Sequence, residues 1–321
     1  MPRSHRNVTI GAFSVGHQQH LFDSFQKGLD AFARELPGVE QGNVEALHRT
    51  RVASRRLREL LPLLPLDRAT TKKLNRRLRR VTKQLGIVRE LDVLVELIDQ
   101  LHCSGRFSPI ALTKMSDALG RARDAARKRL VAKLRARKLQ RLANTLQRVT
   151  KSCESAQPQQ SDAGPGRTNR RWSWALDARL AHRASRVRTA IERAGALYAP
   201  EPLHDVRIAL KKLRYIAEPS LEAGRPRLAA DVAALKAAQD LLGRLHDCEV
   251  LIAWGRDAQA SLSTPDFITW RELRLFVHTI ENDCREMHAR YMRDRARLIA
   301  IANHVGGGQA LPSVVRHRAA G

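Results

Sequence analysis

The sequence predicts an all-α fold: two homologous helical-bundle halves, related by internal duplication about a pseudo-two-fold axis, with a basic central groove. Three observations predict it. Apolar residues recur at helical spacing along most of the chain, and no stretch shows the period-two alternation of a strand. One stretch occurs twice, as Leu47-His48-Arg49-Thr50-Arg51-Val52-Ala53-Ser54-Arg55-Arg56-Leu57-Arg58 and as Leu203-His204-Asp205-Val206-Arg207-Ile208-Ala209-Leu210-Lys211-Lys212-Leu213-Arg214. The correspondence continues beyond it: His48 and His204 lie 156 residues apart, Gly86 and Gly243 lie 157 apart, and Arg129 and Arg137 match Arg285 and Arg293 at 156, as a repeat requires.

In chain order, residues 1–16 are polar and read as a flexible arm. From His17 to Leu36, the residues Leu21, Phe22, Phe25, Leu29 and Phe32 keep helical spacing, and Pro37-Gly38 ends that helix. The first motif helix runs from about Val44 to Leu61 and is closed by Pro62 and Pro65; its apolar side is Leu47, Thr50, Ser54, Leu57 and Leu61. Asp67 caps the next helix, which carries Lys72, Lys73, Arg76, Arg77, Arg79, Arg80 and Lys83. Gly86 reads as its stop, with a restart through Leu94. After Ser104-Gly105 and Ser108-Pro109, one long basic helical region spans about Ile110 to Thr150. Residues 151–171, crowded with Ser, Gln, Pro and Gly, read as a linker. The pattern then restarts. A helix from about Trp172 to Leu197 precedes Pro200 and Pro202, and the second motif helix ends at Pro219. A helix from about Arg227 to Leu242 stops at Gly243, and a last one runs from Thr264-Pro265 to about His304. The halves are therefore 17–150 and 172–304, and residues 305–321 read as a disordered tail.

His48, Arg51, Arg55 and Arg58 are spaced by three, four and three residues, as are His204, Arg207, Lys211 and Arg214. On a helix that spacing forms one stripe. Like charges so placed repel by about 0.2–0.5 kcal/mol per pair, so an anion should face each stripe. One basic helix is commonly a solvated face; two in the same register point to a purpose. On a helical wheel the stripe lies beside the apolar side, so the cations flank a packed seam. Composition identifies the source of the anion. With 58 Lys+Arg against 32 Asp+Glu the formal net charge is +26, which the chain's own acids cannot neutralise. An external polyanion follows: nucleic acid, an anionic membrane or polyphosphate. The excess of Arg over Lys fits two-point contacts with phosphate oxygens. The four cysteines are far apart, with no Cys-x-x-Cys, and neither a signal peptide nor a membrane span is evident. A cytoplasmic protein with free thiols and no membrane partner is expected.

At these residues the sequence resembles the CHAD family, the conserved histidine α-helical domain. The resemblance rests on the His-x-x-Arg-x-x-x-[Arg/Lys]-[Arg/Lys]-Leu-Arg helix and the following Leu-Gly-x-x-[Arg/His]-[Asp/Glu]-x-[Asp/Glu]-Val segment, each present twice, and covers about residues 17–304. It implies a two-half helical bundle with a basic central surface. It implies binding of inorganic polyphosphate, often at polyphosphate granules, with no catalysis and no cofactor. Carried over residue by residue, the binding set in the first half is His48, Arg51, Arg55, Arg56, Arg58 and Arg89. In the second it is His204, Arg207, Lys211, Lys212, Arg214 and His246. Arg79 matches Lys236 and adds a cation from the neighbouring helix. Arg76 and Lys83 face Ala233 and Asp240 in the repeat, so the halves should contribute unequally. Arg129, Arg137, Arg285 and Arg293 complete the expected set. Relatives often carry a triphosphatase domain ahead of this one; no Glu-x-Glu-x-Lys opens this chain, so no enzyme activity is expected.

Two other classes compete. A sequence-independent nucleic-acid binder uses the same electrostatics, but single-strand recognition favours aromatic platforms, and here there are only 7 Phe, 4 Trp and 3 Tyr. A metal-dependent phosphohydrolase is suggested by His204-Asp205 and His246-Asp247. Their first-half counterparts are His48-Arg49 and Arg89-Glu90, and Asp205 points about 100° away from the stripe. No metal site is expected, and Cys284, His288 and His278 read as packing residues. Glu90, Asp92, Asp247 and Glu249 read as helix-start charges that also hold neighbouring Arg side chains.

Overall fold

Short polar side chains set where several helices begin. Asn43 Oδ1 accepts from the Ala46 amide at 2.9 Å, Asp67 Oδ1 from the Thr70 amide at 2.8 Å, and Asp266 Oδ1 from the Thr269 amide at 3.1 Å. Each satisfies a backbone donor that the first turn leaves unpaired. The computed structural model describes residues 15–133, 136–155, 166–222, 226–262 and 266–307. Within them the helices are α1 (Val15–Arg34), α2 (Leu36–Glu40), α3 (Val44–Leu60), α4 (Arg68–Cys103), α5 (Pro109–Lys133), α6 (Ala136–Ser155), α7 (Gly166–Ala194), α8 (Pro200–Glu222), α9 (Ala229–Ala260) and α10 (Phe267–Val305). No strand occurs among the described residues.

The expected breaks at the two glycines are absent. The helix α4 runs unbroken through Gly86, and α9 through Gly243. An interior glycine costs about 1 kcal/mol relative to alanine. That is too little to stop helices whose flanking Leu85, Val88, Leu242 and Leu245 are buried. The glycines serve the helix crossing instead. A Cβ at position 86 would lie 3.3 Å from Nη2 of Arg51, and one at 243 would lie 3.7 Å from Nε of Arg207. Each motif arginine thus lies across the bare backbone of the neighbouring helix. A difference between the two follows. Gly243→Ala should raise the unfolding free energy by up to about 1 kcal/mol, because its Cβ meets Arg207 at ordinary contact distance. Gly86→Ala should gain less, since Arg51 must give way. Urea unfolding of the two variants checks the order.

Other boundaries differ from the sequence expectation for local reasons. The helix α8 passes through Pro219 and ends at Glu222; so near the end, the missing amide removes a bond that only the last turn needs. Pro37 does not simply end a helix but sits in the first turn of α2, where its missing donor has no intrahelical role. The region 110–150 is two helices, α5 and α6, with residues 134–135 outside the described residues. Helix also enters both ends of the expected linker, to Ser155 and from Gly166, and residues 156–165 lie outside the described residues. The expected arm gives its last two residues to α1, and α10 starts at Phe267, just after Asp266. Residues 1–14, Thr264-Pro265 and the tail from residue 308 lie outside the described residues.

Consecutive helices pack as neighbours: α3 on α4, α4 on α5, α7 on α8, α8 on α9 and α9 on α10. Phe22, Phe25, Leu29 and Phe32 of α1 are buried over α3. The apolar side expected for the first motif helix is the observed one: Leu47, Thr50, Ser54, Leu57 and Leu61 are all fully buried. Its two hydroxyl residues are not equivalent. Ser54 Oγ lies 2.9 Å from Thr82 Oγ1 on α4, and Thr82 also donates to the Leu78 carbonyl, so Ser54 is satisfied inside the seam. Further along the same helix, buried Glu59 of α3 accepts from Arg179 (3.0 Å) and from Arg183 through Nη2 (2.6 Å) and Nε (3.1 Å), both on α7. The N-terminal and C-terminal helices meet where α3 touches α8 and α4 touches α9. Arg56–Glu218 (3.1 Å) and the two-point Arg106–Asp283 pair (2.8 and 3.2 Å) tie them further.

Candidate functional site

The stripe spacing turns one edge of α3 and one edge of α8 toward each other where these helices cross. Between them, and against α4 and α9, lies a cavity of about 480 Å³. His48, Arg51, Val52 and Arg55 enter it from α3, and Arg89, Glu90 and Val93 from α4. His204, Arg207, Ile208, Lys211, Arg214 and Tyr215 enter from α8, and Gln239, His246 and Asp247 from α9. Six Arg or Lys side chains and three His therefore face two carboxylates. No group of three His, Cys, Asp or Glu suited to a metal ion occurs among the described residues.

Burial of so many like charges shows in their acidities. Burial, with Arg55 and Arg207 beside it, lowers Lys211 to about 6; it is only 9% exposed. Arg51 is lowered to about 10 by burial and by Arg55. Burial lowers Arg207, although Asp247 opposes it, and the same burial raises Asp247. His48 is lowered by burial and Arg89, His204 by burial and His246. The His204 and His246 rings lie 4.4 Å apart with their Nδ1 atoms 3.4 Å apart, a contact that needs one of the two nitrogens free of its proton. Behind it, His246 Nδ1 lies 3.7 Å from Glu249, which accepts from the Tyr198 hydroxyl at 3.0 Å. Tyr198 in turn bonds Cys284, which pairs with the Cys248 thiol. The Nε atoms of Arg51 and Arg207 are buried without a hydrogen-bond partner in the structure. These matched donors sit at the two glycine crossings.

Of the residues expected from sequence, the cavity gathers His48, Arg51, Arg55, Arg89, His204, Arg207, Lys211, Arg214 and His246. The others do not line it. Arg56 pairs with Glu218, which also binds Arg214. Arg58 donates to Asn75 at 3.2 Å. Lys212 lines a separate cleft between α7 and α8, beside Arg183 and Arg186. Arg76, Arg79, Lys83, Arg129, Arg137, Lys236, Arg285 and Arg293 are exposed on α4, α5, α6, α9 and α10. The acids expected as helix-start charges lie in mid-helix, because α4 and α9 are unbroken. Asp92 holds Arg127 at 2.8 Å, while Glu90 and Asp247 line the cavity. Tyr215 and Gln239 were not in the expected set. Gln239 holds Arg214 Nε at 3.0 Å, and the Arg214 guanidinium stands over the Tyr215 ring at 5.2 Å. Tyr215 directly follows the motif, and that adjacency was the available signal.

Described residues that are helical but for short connections, with His, Arg and Lys side chains of α3 and α8 meeting at one cavity, define a recognisable class of domain. The chain belongs to the CHAD domain family, whose sequence model it matches over residues 23–256, from within α1 to near the end of α9. Its fold is similar to the crystal structure of the CHAD domain from the plant Ricinus communis. That likeness has 21% identity, covers 91% of this chain and 92% of the other, and has a TM-score of 0.57. It is also similar to PptA from Streptomyces chartreusis, at 18% identity, with 90% and 97% coverage and a TM-score of 0.58. At these identities the likeness concerns the fold. No curated protein matches the sequence.

Proposed function

We propose that the chain binds inorganic polyphosphate in the cavity between α3 and α8, as a non-enzymatic module in the cytoplasm at polyphosphate granules. The two halves would descend from one duplicated unit, making the cavity a basic groove on their pseudo-two-fold axis. The observation that carries the reading is the convergence of six Arg or Lys side chains at one place in a chain with a net charge of +26. A dense flexible phosphate chain would release counter-ions and take two-point hydrogen bonds from the arginines. Rigid duplex DNA reaches such a cavity poorly, and Tyr215, the one Phe, Tyr or Trp among the described residues lining it, is covered by Arg214. Weak nucleic-acid binding to the outer cations is the secondary reading.

Competition separates the two. Labelled long-chain polyphosphate is titrated with the protein near physiological salt, against DNA and RNA at matched phosphate concentration. Retention of polyphosphate supports the proposal, and displacement by nucleic acid refutes selectivity.

The pH dependence is a second test. Lys211, at about 6 in the free protein, is largely neutral at pH 7.5, and bound phosphate would restore its charge. His48 and His204, held below their usual value, would likewise take up protons. Affinity should rise as pH falls from about 9 toward 6. Lys211→Arg, which stays charged, should flatten the part of that rise above pH 7. Stability of the free protein carries the opposite sign. The unfolded lysine binds its proton below its ordinary value of 10.5, the folded one only below about 6. Stability contributed at this site therefore falls as pH drops through that interval. Parallel titrations of affinity and of urea stability read both.

A further inference from the structure

Exposed large apolar side chains gather at one end of the molecule. Phe267, Ile268, Trp270 and Leu275 are 75%, 63%, 43% and 54% exposed, and all fall in the first nine residues of α10. Exposed Ile110 joins them. It lies two residues beyond Ser108, which is hydrogen-bonded to Glu272, and the Phe107 ring stands 5.3 Å from that of Phe276. The start of α5 therefore sits beside the start of α10.

Cations are set among these apolar groups. At about 100° per residue, Trp270, Arg274, Phe267, Arg271, Leu275 and Ile268 follow one another around one side of α10. The Arg274 guanidinium stands over the Trp270 ring at 5.5 Å. The carboxylates in this stretch of chain are already engaged: Glu272 by Arg271 at 2.9 Å, and Asp266 by the Thr269 amide. None of these residues lines the cavity between α3 and α8.

A contiguous exposed apolar patch marks a docking surface, and charge selects its occupant. A second copy would bring the same two arginines and another net charge of +26, and would be repelled. An uncharged protein surface would leave Arg274, which stands over the Trp270 ring, without an anion. A membrane interface meets every requirement. Aromatic rings settle at headgroup depth, Ile and Leu side chains reach the acyl region, and guanidinium groups meet lipid phosphates. We propose that the start of α10, with Ile110, docks peripherally on an anionic lipid surface. No described helix is long and apolar enough to cross a membrane, and surface docking needs none. From sequence, an anionic membrane is among the candidate polyanions but no membrane partner is expected; this proposal departs from that expectation.

The test uses the full chain and vesicles of phosphatidylcholine alone or mixed with phosphatidylglycerol, near physiological salt. Wild type should co-sediment with the mixed vesicles. The double variant Phe267→Ser/Ile268→Ser keeps every charge and alters only exposed side chains. It should bind those vesicles about tenfold or more weakly, with polyphosphate affinity unchanged. Equal partitioning of the two proteins overturns the proposal, because net charge alone would then account for adhesion. Absence of vesicle binding by wild type also overturns it. So does a double variant that changes self-association in light scattering while vesicle binding stays the same, since the face would then join copies of the chain.

Discussion

Replacing Arg51 and Arg207 together by alanine is expected to weaken polyphosphate binding by about 10²–10⁴-fold. Each charge-assisted hydrogen bond to the ligand contributes roughly 1.5–3 kcal/mol, and about 1.4 kcal/mol corresponds to tenfold in affinity. The slope of log affinity against log salt should also become shallower by about two, one for each arginine–phosphate pair that the substitutions remove. Both arginines are half-buried at the glycine crossings, and each has a buried Nε without a partner. Burial and Arg55 lower both in the free protein, so their charges oppose folding. The same double variant should therefore unfold at a higher urea concentration than wild type. Binding titrations and urea curves on one preparation test both signs. A variant that is weaker in affinity and in stability together would show that the two guanidinium groups are structural supports.

Glu59→Ala is expected to destabilise the fold by about 3 kcal/mol. Glu59 is 7% exposed and accepts three hydrogen bonds from Arg179 and Arg183. Removing one partner of a buried ion pair costs about 3–5 kcal/mol, because the remaining charge stays where water cannot solvate it. The partial exposure of both arginines, 21% and 16% of the side chain, places the effect at the low end. The control is Glu281→Ala. Its partner Arg256 is 62% exposed, and surface pairs of that kind contribute little. Urea unfolding should separate the two variants clearly.

The parts of the fold that follow from local spacing were legible in the sequence. The apolar side of α3 and the cap at Asp67 rest on period and turn chemistry, and they stand where expected. Gly86 and Gly243 mislead because a glycine resembles a helix stop along the chain; its role is set by an arginine on another helix. Pro219 misleads for a different reason: it lies within the last turn of α8, where one missing amide is tolerated. Within the candidate site, the stripe residues of α3 and α8 were legible because one helical face decides them. The cations placed along α4 illustrate the limit. Arg79 lies ten residues before Arg89, about 15 Å along the axis, and only the crossing determines which of the two meets α8. Gln239 enters the cavity because α9 lies beside α8, a pairing that no local pattern states.

The longest helix among the described residues carries a consequence for how much chain the folded unit needs. The family's sequence model matches only as far as residue 256, yet α10 begins at Phe267 and, with 39 residues, extends about 58 Å. It lies along α9 and also reaches α5 and α7; Leu245, Cys248, Leu251 and Ile252 of α9 and Leu273, Phe276, Ile280 and Cys284 of α10 are all buried. A fragment trimmed to the matched residues would hold every cavity side chain and still leave the apolar face of α9 without α10. The stretch that the family model matches is thus shorter than the unit that folds.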